Sequence, residues 1–153
     1  MTAVSSPPHP LTHSWPLFEA PRRLPPCALG APVRSGRHRQ REETVGLWSC
    51  RLSDDSLCWS PAVHDLFGLP RDEIIPRPLA VSLYLPDSRR AMEGLRRHAI
   101  DHQRGFTADC RIRRPNGDVR WMRLTAIPVL CQGRVVRLAG TKQDVTVDYD
   151  GPG

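Results

Sequence analysis

The sequence of 153 residues has no uninterrupted run of 18 apolar residues, and prolines break every apolar stretch within its first 30 residues. We therefore expect neither a membrane-spanning helix nor a secretory signal. The sequence also has no CxxC pair, and its five cysteines are odd in number. Such cysteines fit reduced thiols better than a disulfide framework, so we expect a cytoplasmic protein.

The sequence signatures of common catalytic sites are missing as well. There is no G-x-S-x-G, no H-E-x-x-H and no G-x-x-x-x-G-K-[ST]. The carboxylate pairs Asp54-Asp55 and Asp72-Glu73 lie in predicted turns, where solvated side chains make poor general acids or bases. We expect no enzymatic activity and no metal site.

Proline is concentrated near the N-terminus. Residues 1–41 hold eight of the sixteen prolines, and six arginines against one acidic residue, Glu19. Because proline removes backbone donors and fixes φ, we predict a disordered, proline- and arginine-rich tail over residues 1–41. This tail carries +5 of the net charge of +6. The rest of the chain is nearly neutral, so we do not expect nucleic-acid binding.

Strand and helix patterns begin after the tail. Two short strands are predicted around 46–52 and 57–59, followed by a helix that opens at Ser60-Pro61 and ends at Gly68. Residues 69–86 hold four prolines and are predicted to form irregular turns. The longest helix is predicted over residues 88–103, with Asp87 as its N-cap.

Three strands are predicted to close the chain. The Asn116-Gly117 pair favours a tight hairpin turn, and Gln132-Gly133 favours a second one. The last strand ends in Asp144-Val145-Thr146, and residues 148–153 are predicted to be a C-terminal tail. This order of elements predicts an α+β fold, in which a five-stranded antiparallel sheet carries its helices on one face.

Two groups of residues carry a family resemblance. The first group is Gly46-Leu47-Trp48, Trp59-Ser60 and Leu66-Phe67-Gly68-Leu69, and the second is Phe106, Arg111-Ile112, Asn116-Gly117, Arg120-Trp121, Gly133, Gly140 and Asp144-Val145-Thr146. They resemble the opening segment and the closing PAC motif of a PAS domain of the PAS-fold-3 type, and the resemblance covers residues 42–147.

The resemblance implies a sensory or regulatory module in signal transduction, as in bacterial two-component systems. Such a module binds a small ligand or a protein partner. Asp144 and Thr146 match the Asp-Ile-Thr end through which family members pass their signal onward. Since seven residues follow Thr146, we expect either an output in trans or a fragment of a sensor histidine kinase without its catalytic part.

Ligand-free homodimerisation is the alternative function. Both faces of residues 119–139 carry apolar side chains, which indicates that the outer face of the sheet is covered. We expect a dimer that forms through this sheet face or through the segment Arg37–Thr44. The outward-facing residues are predicted to include Met122, Leu124, Val136 and Leu138.

The resemblance also implies a candidate pocket between sheet and helices, although the same aromatic residues could simply fill the core. In haem-binding relatives a histidine of the long helix ligates iron, which makes His102 the candidate ligand here. Histidines beside an apolar stripe more often lie at the core edge, so haem is disfavoured. Flavin-binding relatives carry Asn-Cys-Arg-Phe-Leu, which this sequence does not have, so no cofactor is predicted. The candidate pocket residues are Trp48, Phe67, Leu95, Ala99, His102 and Trp121.

Overall fold

Six β-strands form one antiparallel sheet in the computed structural model, which describes residues 12–29 and 45–150. Within the sheet the strands follow the order β1-β4-β5-β6-β2-β3, and each pair of neighbours is antiparallel. Their bounds are β1 (Thr12–Pro16), β2 (Gly46–Arg51), β3 (Leu57–Trp59), β4 (Arg104–Arg113), β5 (Val119–Cys131) and β6 (Arg134–Asp144).

Five α-helices accompany the sheet within the described residues. They are α1 (Ala20–Arg23), α2 (Pro61–Phe67), α3 (Arg77–Ser82), α4 (Pro86–His102) and α5 (Thr146–Asp150). Short 3₁₀ turns at Leu17–Glu19 and Pro26–Leu29 flank α1. Helices α2 and α4 bury apolar side chains such as Phe67 and Met92 against the sheet face that carries Phe106 and Leu124, here called the inner face. The predicted α+β class, with helices against an antiparallel sheet, is confirmed.

Both predicted hairpin turns are confirmed. Gly117 has a φ of +92°, and the Asn116 side chain accepts a hydrogen bond from the Asp118 amide at 2.9 Å. Gln132 and Gly133 both have positive φ, at 52° and 78°, as the tight turns that suit twisted hairpins require. These turns fix the pairing of β4 with β5 and of β5 with β6.

The predicted outward facing is wrong for Met122, Leu124 and Leu138. Met122, Leu124 and Leu138 are at most 3% exposed and belong to the inner core, whereas Val136 is 42% exposed. Met122 lies opposite Cys110 and Leu124 opposite Ala108 in the sheet. Because directly paired residues point to the same face, these side chains must face the helices.

Two helix predictions also need correction. Helix α3 forms at Arg77–Ser82, within the stretch predicted to be irregular, because Pro78 lies in the first turn, where proline costs the helix no hydrogen bond. For the same reason α4 begins at Pro86, so that Leu85 and not Asp87 is its N-cap residue. Pro78 and Pro86 lie at the start of helices and do not interrupt them.

The largest correction concerns the predicted tail. Residues 12–29 are ordered, and β1 pairs with β4 so that Trp15 lies opposite Gly105. Trp15 is fully buried against the outer face of the sheet with Ala20, Leu24 and Ile127. The tail prediction is therefore wrong for residues 12–29, and the sheet has six strands instead of five. The rest of the predicted tail, at 1–11 and 30–41, lies outside the described residues, as do 42–44 and 151–153.

Candidate functional site

A small cavity lies between the inner face of the sheet and helices α3 and α4. Its volume is about 40 Å³, which is room for about three water molecules. Its wall is mostly apolar, with Trp48, Met92, Phe106, Leu124 and Leu138 as the larger contributors. The polar side chains that reach it are Cys50, Arg77, Tyr84, Arg96 and Lys142.

Lys142 is the most deeply buried cation of this cavity, with 6% of its surface exposed. It follows Leu138 and Gly140 at alternate positions of β6, so it shares the inner face with them. Among the residues that the structure describes, its Nζ forms no hydrogen bond or ion pair. Instead, Nζ lies 4.9 Å from the ring centroid of Phe67, 5.2 Å from Trp48, 5.3 Å from Trp59 and 5.9 Å from Tyr84.

The ionisation of these buried groups follows from their removal from water. Burial lowers the pKa of the Lys142 ammonium from 10.5 to about 7, because it disfavours the charged form. Burial raises the pKa of the Tyr84 hydroxyl well above 10 and that of the Cys110 thiol to about 12. Near neutral pH, Tyr84 and Cys110 are uncharged, whereas Lys142 is divided between its two forms.

Two arginines at the cavity are already neutralised. Arg77 forms an ion pair with Glu93, and Arg96 forms one with Asp55 at 3.2 Å. No acidic side chain of the described residues lines the cavity. The charge of Lys142 is therefore the uncompensated one.

The structure places four of the six predicted pocket residues on the inner side. Trp48 lines the cavity, and Phe67 lies against the Lys142 ammonium. Ala99 is 1% exposed and Leu95 is partly buried, and both pack into the core beside the cavity without lining it.

The other two predicted pocket residues lie elsewhere. His102 is exposed in the last turn of α4, with its ring 4.5 Å from that of His98. Trp121 lies on the outer face, because its neighbour Met122 points inward. No histidine of the described residues lines the cavity, and a volume of about 40 Å³ is far below that of a cofactor pocket. The residues around this cavity therefore do not fit a haem or a flavin.

Lys142 and Tyr84 line the cavity but were not among the predicted site residues. The signal for Lys142 was the alternation of Leu138, Gly140 and Lys142 along one strand, which puts all three on one face once Leu138 is known to be inward. Tyr84 lies between α3 and α4 and forms an isolated bridge with Ile112. Its stretch was predicted to be irregular, which gave no reason to place it at the site.

The predicted output residues form a compact polar corner at the end of β6. The Thr146 amide and hydroxyl both donate to Asp144 Oδ1, at 2.9 and 2.6 Å. Arg120 Nε donates to Asp144 Oδ2 at 2.9 Å. Thr146 Oγ1 accepts a hydrogen bond from the Trp121 amide at 3.0 Å, which ties the corner to β5.

Helix α5 continues from this corner and packs against the outer face. The Tyr149 ring stacks on Trp121 with centroids 4.0 Å apart. Its hydroxyl donates to Asp109 Oδ2 at 2.5 Å, and Asp109 is held by Arg123 through two hydrogen bonds of 2.8 and 3.0 Å. Residues 148–150 are therefore part of a docked helix and not of a tail as predicted.

We expect Asp144→Ala to loosen α5. Burial opposes the ionisation of Asp144, but the hydrogen bonds from Thr146 and Arg120 outweigh it and lower its pKa. Losing these bonds should cost about 1–2 kcal/mol of unfolding free energy, measured by urea denaturation, and should speed amide exchange in residues 146–149. Asp87→Ala, at a highly exposed carboxylate, is the control. Equal stability and exchange in both variants would contradict the role of the corner.

The fold and site together define a sensor-type α+β domain, with helices closed over a small cavity and a last strand that ends in a polar corner. A family model described as PAS fold, of the PAS_3 type, matches residues 56–142. This match covers more than half of the chain, and the chain belongs to the PAS fold family. PAS domains are sensory modules of signalling proteins and commonly mediate dimerisation or signalling interactions.

Solved structures of sensor domains are similar in fold. The N-terminal domain of a diguanylate cyclase with a PAS/PAC sensor from Marinobacter aquaeolei has a TM-score of 0.63 at 17% identity, covering 69% of this chain and 98% of that one. A sensory box histidine kinase/response regulator from Burkholderia thailandensis has a TM-score of 0.62 at 21% identity, with coverages of 74% and 88%.

A domain of a putative light and redox sensing histidine kinase from Haloarcula marismortui is also similar, with a TM-score of 0.58 at 20% identity and coverages of 72% and 100%. No curated protein sequence matched the chain. Of the helices in residues 12–29 and 45–150, none has the length and apolar character needed to cross a membrane.

Proposed function

We propose that this chain is a sensory PAS module that receives its signal in the cavity around Lys142 and transmits it through the corner formed by Asp144 and Thr146. The observation that carries the proposal is the position of Lys142 and Asp144 on one strand, two residues apart. A change in the contacts of Lys142 shifts the end of β6, and with it the hydrogen bonds that hold α5.

The element that responds to the signal is α5, which lies on the outer face of the sheet. Helix α5 is fixed to the sheet by the Tyr149–Trp121 stack and by the hydrogen bond from Tyr149 to Asp109. The helix has only five residues and is held by few contacts, so we expect a small displacement of the corner to release it. We propose that the released or docked helix is read by a cytoplasmic signalling protein, in trans or as part of a longer sensor. The similar solved structures include sensor histidine kinase domains.

The test alters the charge of Lys142 in the cavity and measures the amide protection of α5. Amide hydrogen exchange of residues 144–149 is compared at pH 6.5 and 8.5, after correction for the intrinsic rate, in the wild type and in Lys142→Met. We expect the protection of α5 to change with pH in the wild type and to be independent of pH in the variant. The same pH response in both proteins would refute the coupling of cavity and corner.

Homodimerisation is the second candidate function, and one surface favours it. Val129, Leu130 and Val136 lie close together at the end of the β5–β6 hairpin and are 36%, 39% and 42% exposed. We propose that this patch, and not the inward Met122 and Leu124, forms a dimer contact. Light scattering at tens of micromolar should give a dimer mass for the wild type and a monomer mass for Val136→Glu. A monomer mass for the wild type would exclude this dimer contact.

A further inference from the structure

The cavity presents hydrogen-bond donors without acceptors. The Lys142 ammonium and the Tyr84 hydroxyl both reach it, and both residues are more than nine-tenths buried. Within the described part of the chain neither group has a hydrogen-bond partner. Among the described residues, the fully enclosed side-chain atoms without a partner are Trp59 Nε1 and His64 Nδ1. The Lys142 ammonium and the Tyr84 hydroxyl instead open onto the cavity, where a small molecule can supply the acceptor that buried polar groups normally have.

The charge of the surroundings defines the chemistry of that acceptor. The two arginines at the cavity are paired with carboxylates, Arg77 with Glu93 and Arg96 with Asp55. The aromatic rings around the Lys142 ammonium stabilise its charge less than water would. A ligand that supplies a negative charge and oxygen acceptors would satisfy both donors at once.

The volume of the cavity limits the size of the ligand. A space of about 40 Å³ holds roughly three or four non-hydrogen atoms, judged by the room that a water molecule needs. The apolar wall formed by Met92, Phe106 and Leu138 suits a methyl group better than further polar atoms. A phosphate, with more oxygens to satisfy and a second charge, would leave several of them unpaired against this wall.

We propose that the cavity binds a short-chain carboxylate, such as formate or acetate, through the Lys142 ammonium and the Tyr84 hydroxyl. The inference rests on the proposed function, in which this cavity receives the signal. Binding needs the charged form of Lys142 and therefore weakens as the pH rises through about 7. The ionisable side chains that face Lys142 from the surrounding elements are Cys50, Arg77, Tyr84, Arg96 and Cys110, with His64 behind Trp59.

The test is a titration of the ¹⁵N-labelled full chain with sodium acetate and, separately, sodium formate, against sodium chloride at equal ionic strength. The Trp48 indole, which lines the cavity and donates to the Thr141 carbonyl at 3.2 Å, reports binding. The Trp15 indole, on the outer face, is the internal reference. At pH 6.5 we expect a saturable shift of the Trp48 signal with a carboxylate and not with chloride, and about tenfold or more weaker binding at pH 8.5.

Three variants locate the site. Lys142→Met should weaken binding by about 10–100-fold, as expected for a lost charged hydrogen bond, and Tyr84→Phe by about 2–10-fold. Arg137→Met removes an exposed cation from the same strand and should leave the affinity unchanged. No saturable shift in the wild type, an equal shift with chloride, or unchanged binding by Lys142→Met would overturn the proposal. The exchange test of α5 uses no carboxylate, so the sensory role can stand or fall separately.

Discussion

Lys142→Met is expected to make the folded domain more stable at pH 6.5, on the order of 4 kcal/mol in unfolding free energy. The variant keeps a side chain of similar length in contact with Trp48 and Phe67 but removes a charge that is costly to bury. A gain in stability is expected when a functional group is replaced, because binding sites often keep groups that destabilise the fold. Urea denaturation gives the free energy directly.

The same variant should lose a pH dependence that the wild type has. The pKa of Lys142 is about 7 in the folded protein and near 10.5 when unfolded. Between these values the unfolded chain holds a proton that the folded protein has released, so wild-type stability rises with pH. We expect a gain of about 2 kcal/mol from pH 7 to 8.5, and none from this source in Lys142→Met.

At higher pH two buried thiols change the stability in the opposite direction. Burial raises the pKa of Cys50 and that of Cys110, so above about pH 9 the unfolded thiols lose protons that the folded protein keeps, and stability falls. Arg137→Met is the control for the loss of a positive charge and should keep the wild-type slope. If Lys142→Met showed that slope too, the buried ammonium would not be its source.

Trp15→Ala should lower the unfolding free energy by about 3–5 kcal/mol, as is usual for removing a buried tryptophan. The Trp15 ring lies so close over Gly105 that an added Cβ would overlap with it. Its Nε1 donates to Thr107 Oγ1 at 3.1 Å. These contacts anchor residues 12–29, so the variant should also lose amide protection throughout β1.

The matched control is Phe18→Ala in the same segment, because Phe18 is 77% exposed. We expect its effect to be within about 0.5 kcal/mol, as for other exposed positions. Full protection of residues 12–16 in Trp15→Ala would show that the backbone pairing with β4 holds the segment without its anchor.

The parts of the fold that the sequence predicted are those decided locally. The Asn116-Gly117 turn needs positive φ at a known position, and the helix end at Gly68 needs a left-handed residue, so both follow from residue type. The hydrogen-bonded corner at Asp144 and Thr146 coincides with the residues predicted for signal output from their likeness to the family motif. The output role itself stays a prediction.

The parts that were missed depend on distant residues. The pairing of Trp15 with Gly105 joins positions 90 residues apart, and the prolines around Trp15 suggested irregular chain. In β5, apolar residues occupy both faces, so Trp121 and Met122 were equally good inward residues by pattern alone. The same ambiguity about which residues face inward applied to β6, so the burial of Lys142 was not predicted. Its burial depends on the four aromatic rings around it, which come from distant parts of the chain.

The position of β1 in the sheet also has a practical consequence for expression. Because β1 pairs with β4, the edge strand on this side of the sheet is the short β1 and not β4. Arg104 Nε at the start of β4 also donates a hydrogen bond to Ser14 Oγ in β1 at 2.9 Å. A truncation at residue 42 would leave the unpaired amides and carbonyls of β4 free to template a strand from another molecule. Such a shortened protein should aggregate more readily than the full chain.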